Sequence, residues 1–95
     1  MAGPTWPVSV KGVVIWDDSV LLVRNERAEW ELPGGRLEPD DPTPEDAVRR
    51  EFAEEVGLDV TVGRLVDSWI YDVAGRRGLI VVYACTAKQL SLIHI

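Results

Sequence analysis

From Val8 to Trp16 the chain places Val10, Gly12, Val14 and Trp16 on one side and Lys11, Val13 and Ile15 on the other. That period of two predicts a strand. Asp17-Asp18-Ser19 reads as a turn, and Val20-Leu21-Leu22-Val23 is apolar at every position, as a strand covered on both faces would be. The two predict a hairpin. Arg24 to Glu29 is a polar connection, and Trp30-Glu31-Leu32 a short strand running into Pro33-Gly34-Gly35. The period changes to that of a helix between Pro44 and Val56, where Val48, Phe52 and Val56 recur every four residues. Strand patterns return at Val60–Val62, Leu65–Val73 and Leu79–Thr86, the last two joined by Ala74-Gly75-Arg76-Arg77-Gly78 as a hairpin turn. Trp16 and Trp69 keep register with their strand neighbours and are expected in the core. The class is α+β.

The helix carries its own punctuation. Thr43 suits the N-cap, Pro44 the first helical position, Asp46 a capping-box acid, and Gly57 the left-handed residue that ends a helix. At 3.6 residues per turn, Glu51, Glu54 and Glu55 share one arc beside the apolar ridge. Like charges at these spacings cost roughly 0.2–0.5 kcal/mol per pair, which Arg50 paired with Glu54, and Arg49 with Glu45, would partly offset. Two readings follow: a solvated acidic face, or an oxygen-ligand site for a hard cation such as Mg²⁺.

Composition narrows the choice. Residues 38–59 hold nine acids against two arginines, −7, while the whole chain of 95 residues carries −6. A local acidic cluster favours a cation site over a nucleic-acid surface, which would need a basic stripe. Cys85 is the sole cysteine and falls in an apolar strand pattern, so an inert buried thiol is expected, with no internal disulfide. The apolar run Leu79 to Cys85 is too short to span a membrane, and the first seven residues lack the features of a secretory signal, so a cytoplasmic location is expected.

Leu32-Pro33-Gly34-Gly35-Arg36-Leu37-Glu38 followed by Arg50-Glu51-Phe52-Ala53-Glu54-Glu55-Val56-Gly57-Leu58 resembles the Nudix box. That signature runs Gly, five residues, Glu, seven residues, then Arg-Glu-apolar-x-Glu-Glu-x-Gly-apolar, and Arg50 to Leu58 matches its second half at every specified position. One feature departs. Counting from Gly35, Asp41 stands where the family has Glu, and eight residues separate it from Arg50. Asp40 or Asp41 is therefore expected to take the supporting role of orienting Arg50 and the carboxylates.

The resemblance implies a Nudix-type α/β/α sandwich with a mixed sheet, and a reaction in which Mg²⁺ or Mn²⁺ supports hydrolysis of a nucleoside diphosphate linked to another group. It implies Glu51, Glu54 and Glu55 as metal ligands, joined by a carbonyl of Gly34 or Gly35. Arg50 and Glu54 belong to the catalytic set with Glu51, a general base by default. Arg36 is the expected phosphate contact, and Trp30 a flank for a nucleobase. The partner is a nucleotide-derived small molecule rather than a nucleic acid or a membrane. The rival reading is a non-catalytic nucleotide-sensing module of Nudix type.

Residues 1–7 read as an irregular lead-in and 8–86 as the domain, incomplete at its C-terminal side and without its second helix. Residues 87–95 lapse from the pattern, and Ser91-Leu92-Ile93-His94-Ile95 resembles translated sequencing-adapter DNA, so this tail is expected to be non-native. Such a fragment would be weak or inactive alone, and an uncovered sheet face would favour self-association.

Overall fold

The computed structural model describes residues 5–87. The expectations for the extreme lead-in and for the tail from Lys88 onward lie outside the described residues. Strand β1, Val8–Trp16, is the axis of a mixed sheet. It turns at Asp17-Asp18, both in the left-handed region (φ 49° and 64°), into the two-residue strand β2, Ser19–Val20, with Trp16 facing Ser19. Aspartate tolerates that conformation, which a tight two-residue hairpin demands.

The apolar run after the turn departs from expectation. Val20–Val23 is not one strand: Leu21 turns into the core while Leu22 is 40% exposed. The chain then starts a separate ribbon, β3 (Val23–Arg24) paired with β4 (Trp30–Glu31). Asn25 holds its loop, its Oδ1 accepting the N–H groups of Arg27 (2.9 Å) and Glu29 (3.0 Å).

β5, Gly34–Arg36, returns antiparallel to the first part of β1, with Lys11 facing Gly34 and Ser9 facing Arg36. A Cβ on Gly34 (φ +154°) would stand 2.9 Å from the Lys11 Cα, so only glycine lets the two backbones approach there. After the helix, β6 (Val60–Val73) and β7 (Arg76–Ala87) form a long antiparallel pair. The two strand patterns seen in residues 60–73 are one strand, irregular in register between Val62 and Asp67. Its hairpin turns at Ala74-Gly75 alone, both at positive φ, and Arg76 and Arg77 already belong to β7. β7 lies parallel to β1, from Val8 facing Leu79 to Val14 facing Cys85, giving the order β2-β1-β7-β6 with β5 also on β1.

Helix α1, Pro44–Val56, begins at the Thr43 cap, whose Oγ1 accepts the Asp46 N–H at 3.1 Å, and ends at Gly57 with φ 69°. Its first turn is tied by Asp46, which pairs with Arg49; Glu45 was the expected partner of that arginine. Ala47, Val48 and Phe52 are fully buried against Val10, Val14, Tyr83 and Cys85. Phe52 lies so close to β1 that a Cβ on Gly12 would come within 2.8 Å of its ring. Cys85 is buried, and burial pushes its thiol up to about 11, consistent with an inert core cysteine.

α1 covers one face of the sheet, and it is the only helix among the described residues. The result is an α+β fold with a mixed sheet. Trp69 faces Ile80, which in turn faces Ser9, and this places it on the side away from α1 at 44% exposure. Trp16, 47% exposed, lies beyond the last β1–β7 pair. Both tryptophans correct the expectation of core positions. Register was right, but among the described residues no covering layer stands over them.

Candidate active site

The antiparallel run of β5 against α1 sets two carboxylates over two glycines. Glu55 Oε1 accepts the Gly34 N–H at 3.0 Å. One turn earlier, the Glu51 carboxyl lies against Gly35 so closely that a Cβ there would sit 2.6 Å from its Cδ. A side chain at residue 35 would displace Glu51, so the Gly-Gly pair serves both strand pairing and carboxylate placement. Glu51 keeps only 16% of its side-chain surface exposed, whereas Glu54, on the same arc, keeps 62%.

Arg50 is the hub. Its Nε donates to Asp41 Oδ1 (2.9 Å) and its Nη2 to Asp41 Oδ2 (2.8 Å), a two-pronged match of planar groups. Nη1 donates to Glu51 Oε1 (2.8 Å) and Glu54 Oε2 (3.4 Å), and Nη2 also reaches the Arg36 carbonyl (3.2 Å). Glu38 completes the ring at 3.6 Å from Nη1. One cation thus holds four carboxylates and a β5 carbonyl. Its hydrogen bonds to the Asp41 and Glu51 carboxylates keep the guanidinium firmly charged.

Asp41 is the better anchored of the two candidate supports. Its Oδ2 also accepts the Glu38 N–H at 2.8 Å, while its own N–H donates to the Glu38 carbonyl at 3.0 Å. The Arg50 and Glu38 bonds hold its carboxyl below the usual aspartate range. Asp40 joins none of the described contacts to Arg50. The extra loop residue is absorbed in the Glu38–Asp41 turn. Glu38 was not singled out from sequence, although the Glu-Pro-Asp-Asp turn could have drawn attention to it.

The substrate-side candidates lie apart from this network. The Arg36 carbonyl joins it, and Arg36 also borders a cavity of about 510 Å³ with Trp6, Arg76 and Arg77. Trp30, on the β3–β4 ribbon, is 63% exposed with the Arg24 guanidinium 5.6 Å from its ring centroid.

Among the described residues no three His, Cys, Asp or Glu side chains converge as a ready-made metal cage. Glu51, Glu54 and Glu55 are turned toward Arg50 and the Gly34 amide. In chemistry the donors still suit Mg²⁺ or Mn²⁺, which take carboxylate and carbonyl oxygens and keep several waters. The Gly35 cradle is an opening that a cation-bearing carboxylate at Glu51 would need.

A family model described as the NUDIX domain matches residues 6–91. A MutT-like protein of Streptomyces ambofaciens is 43% identical over 84 residues, covering 86% of this chain and 53% of its own length. An 8-oxo-dGTP diphosphatase of Proteus vulgaris is 51% identical over 47 residues, 50% of this chain and 41% of that protein. The solved structure of a UDP-X diphosphatase superposes with a TM-score of 0.83 at 25% identity, covering 92% of this chain and 44% of that one. The chain spans about half the length of these proteins. With its glycine pair on β5, its capped helix and Arg50 binding Asp41 ahead of the Glu51-Glu54-Glu55 arc, the chain belongs to the NUDIX domain family.

Proposed function

We propose that the protein hydrolyses the diphosphate bond of a nucleoside diphosphate linked to another group, supported by Mg²⁺ or Mn²⁺. The observation that carries this is the placement of Glu51 and Glu55 over Gly35 and Gly34, beside the Arg50 hub. Similarity to proteins described as an 8-oxo-dGTP diphosphatase and a UDP-X diphosphatase supports the bond class. Glu51, Glu54 and Glu55 would hold the cation with a carbonyl of Gly34 or Gly35. When bound, it would neutralise diphosphate charge and lower the pKa of a water.

Arg50 sets the directions of Glu51 and Glu54 and is itself fixed by Asp41. Glu51, close to the cradle and little exposed, is the proposed general base. Arg36 is the proposed phosphate contact and Trp30 the proposed stacking surface. Residues 8–86 are proposed as the domain unit, cytoplasmic, with a small-molecule nucleotide as its partner. The sheet face bearing Trp69 is proposed to self-associate.

The engagement of Glu51 and Glu54 by Arg50 favours a second reading, a nucleotide-sensing module with no turnover. Release of phosphate or nucleoside monophosphate from a panel of nucleotides, with and without Mg²⁺, separates the two. Cation-dependent release that disappears in Glu54→Gln supports the hydrolase. Nucleotide binding without release in a form spanning the relatives' full length supports the sensor.

A further inference from the structure

We infer that the cavity between the Thr5–Pro7 segment and the β6–β7 hairpin is a second anion subsite, receiving phosphate groups of a nucleoside polyphosphate beyond the diphosphate held at the carboxylate face. It encloses about 510 Å³ and is lined by Thr5, Trp6, Pro7, Arg36, Gly75, Arg76 and Arg77. That volume lies within the range of small-molecule sites, roughly 300–1,000 Å³. Three arginines from two separate strands, Arg36 on β5 and Arg76 and Arg77 on β7, border it in a chain of net charge −6, and no carboxylate residue is among its described lining residues.

The arrangement also presents those charges in a usable form. Arg77 lies over the Trp6 ring, 4.7 Å from its centroid, a cation–π contact that holds its guanidinium beside the cavity's Trp6 wall. Its nearest acid, Asp72, is 4.0 Å away and 65% exposed, a loose partner that a phosphate would readily replace. Guanidinium forks match phosphate oxygens two at a time. The strand pairing supplies the link to the carboxylate face. Arg36 follows Gly35 directly, and its carbonyl accepts from Arg50 while the residue borders the cavity. Leu79 N–H donates to the Pro7 carbonyl at 3.0 Å, tying the lead-in segment to the arginine strand.

The ligand's nature rests on the proposed hydrolase reading, but its binding is testable without turnover. Calorimetric titration of inorganic tripolyphosphate into the protein in EDTA should show binding that weakens about tenfold or more in Arg76→Gln/Arg77→Gln. Arg64→Gln, which removes one positive charge outside the cavity, should leave the affinity within about twofold, a change small against the tenfold loss. Arg77→Lys should recover only part of the loss, because it restores the charge without the fork. Equal affinity in wild type and the double variant, with matching thermal midpoints, would overturn the inference. So would an equal loss in Arg64→Gln, which would mark the binding as general charge attraction. Failure of cation-dependent turnover would count against the hydrolase alone.

Discussion

Arg50 grips Asp41 with two parallel hydrogen bonds, Nε to Oδ1 at 2.9 Å and Nη2 to Oδ2 at 2.8 Å, across nine positions of sequence. The pair joins the loop before the helix to the second turn of α1, next to Glu51 and one turn before Glu54. Removing the negative charge while keeping the shape should therefore loosen those two carboxylates. In a catalytically active, longer form, Asp41→Asn should lower turnover by about 10–100-fold, as for other groups that orient ligands. Asp40→Asn should change it little. Steady-state rates for the two variants check this, and equal rates would assign Asp41 no orienting role.

The same pair fixes a pH dependence. Arg50 and the Glu38 amide hold the Asp41 carboxyl below its ordinary range, so the folded state binds that proton less readily than the unfolded chain. The resulting stability is complete above the unfolded value, about 3.9, and is lost as pH falls through the lower folded value. Asp46, lowered by Thr43 and Arg49, adds in the same direction. Urea midpoints between neutral pH and about pH 2 should show the wild type's advantage over Asp41→Asn shrinking once pH drops below the ordinary aspartate range. An advantage that stays constant to the lowest pH would show that the carboxylate charge contributes nothing.

Much of this was legible in the sequence because the helix announces itself locally. Thr43, Pro44 and Gly57 mark its ends by backbone chemistry, and the Arg50–Leu58 spacing needs no tertiary knowledge. What failed depended on neighbours. Trp16 and Trp69 have the right alternation, yet alternation states which face a residue takes and not whether anything covers that face. The run Val20–Val23 looked like one strand because every residue is apolar, but two short ribbons share it. The meeting of Trp6 with Arg77, 71 positions later, could come only from the parallel pairing of β1 with β7.

If Glu51, Glu54 and Glu55 hold a divalent cation, the folded state gains its binding energy. At 100 times the dissociation constant this amounts to about 2.7 kcal/mol, readable as a rise in thermal midpoint. EDTA should reverse the rise, and Glu54→Gln/Glu55→Gln should abolish it. An equal rise in the double variant would place the cation elsewhere.

The face bearing Trp69 and the exposed β6 residue Val73, 65% exposed, leaves apolar surface open to water. Contiguous apolar patches beyond a few hundred Å² are uncommon on monomers and mark contact surfaces. Sedimentation of the chain should show association that rises with concentration, and Trp69→Lys should reduce both that association and the binding of a hydrophobic dye. A dye-silent monomer throughout would remove the case for a contact surface on this face.

Two glycines offer the sharpest separation of fold from site. Gly12 admits the Phe52 ring, and a methyl group there would press on a core side chain that is fully buried and has nowhere to move. Gly12→Ala should cost about 1–3 kcal/mol of stability, as overpacking does. Gly35 instead admits the Glu51 carboxyl, the end of a side chain that retains some exposure and can swing aside. Gly35→Ala should therefore leave the thermal midpoint of the cation-free protein nearly unchanged while sharply reducing its rise with Mg²⁺. Parallel melts of the two variants, with EDTA and with millimolar Mg²⁺, give both quantities at once. If Gly35→Ala instead unfolds the protein as Gly12→Ala does, residue 35 matters for strand packing alone. A full Mg²⁺ response in that variant would show that the Glu51 cradle is not part of the cation site.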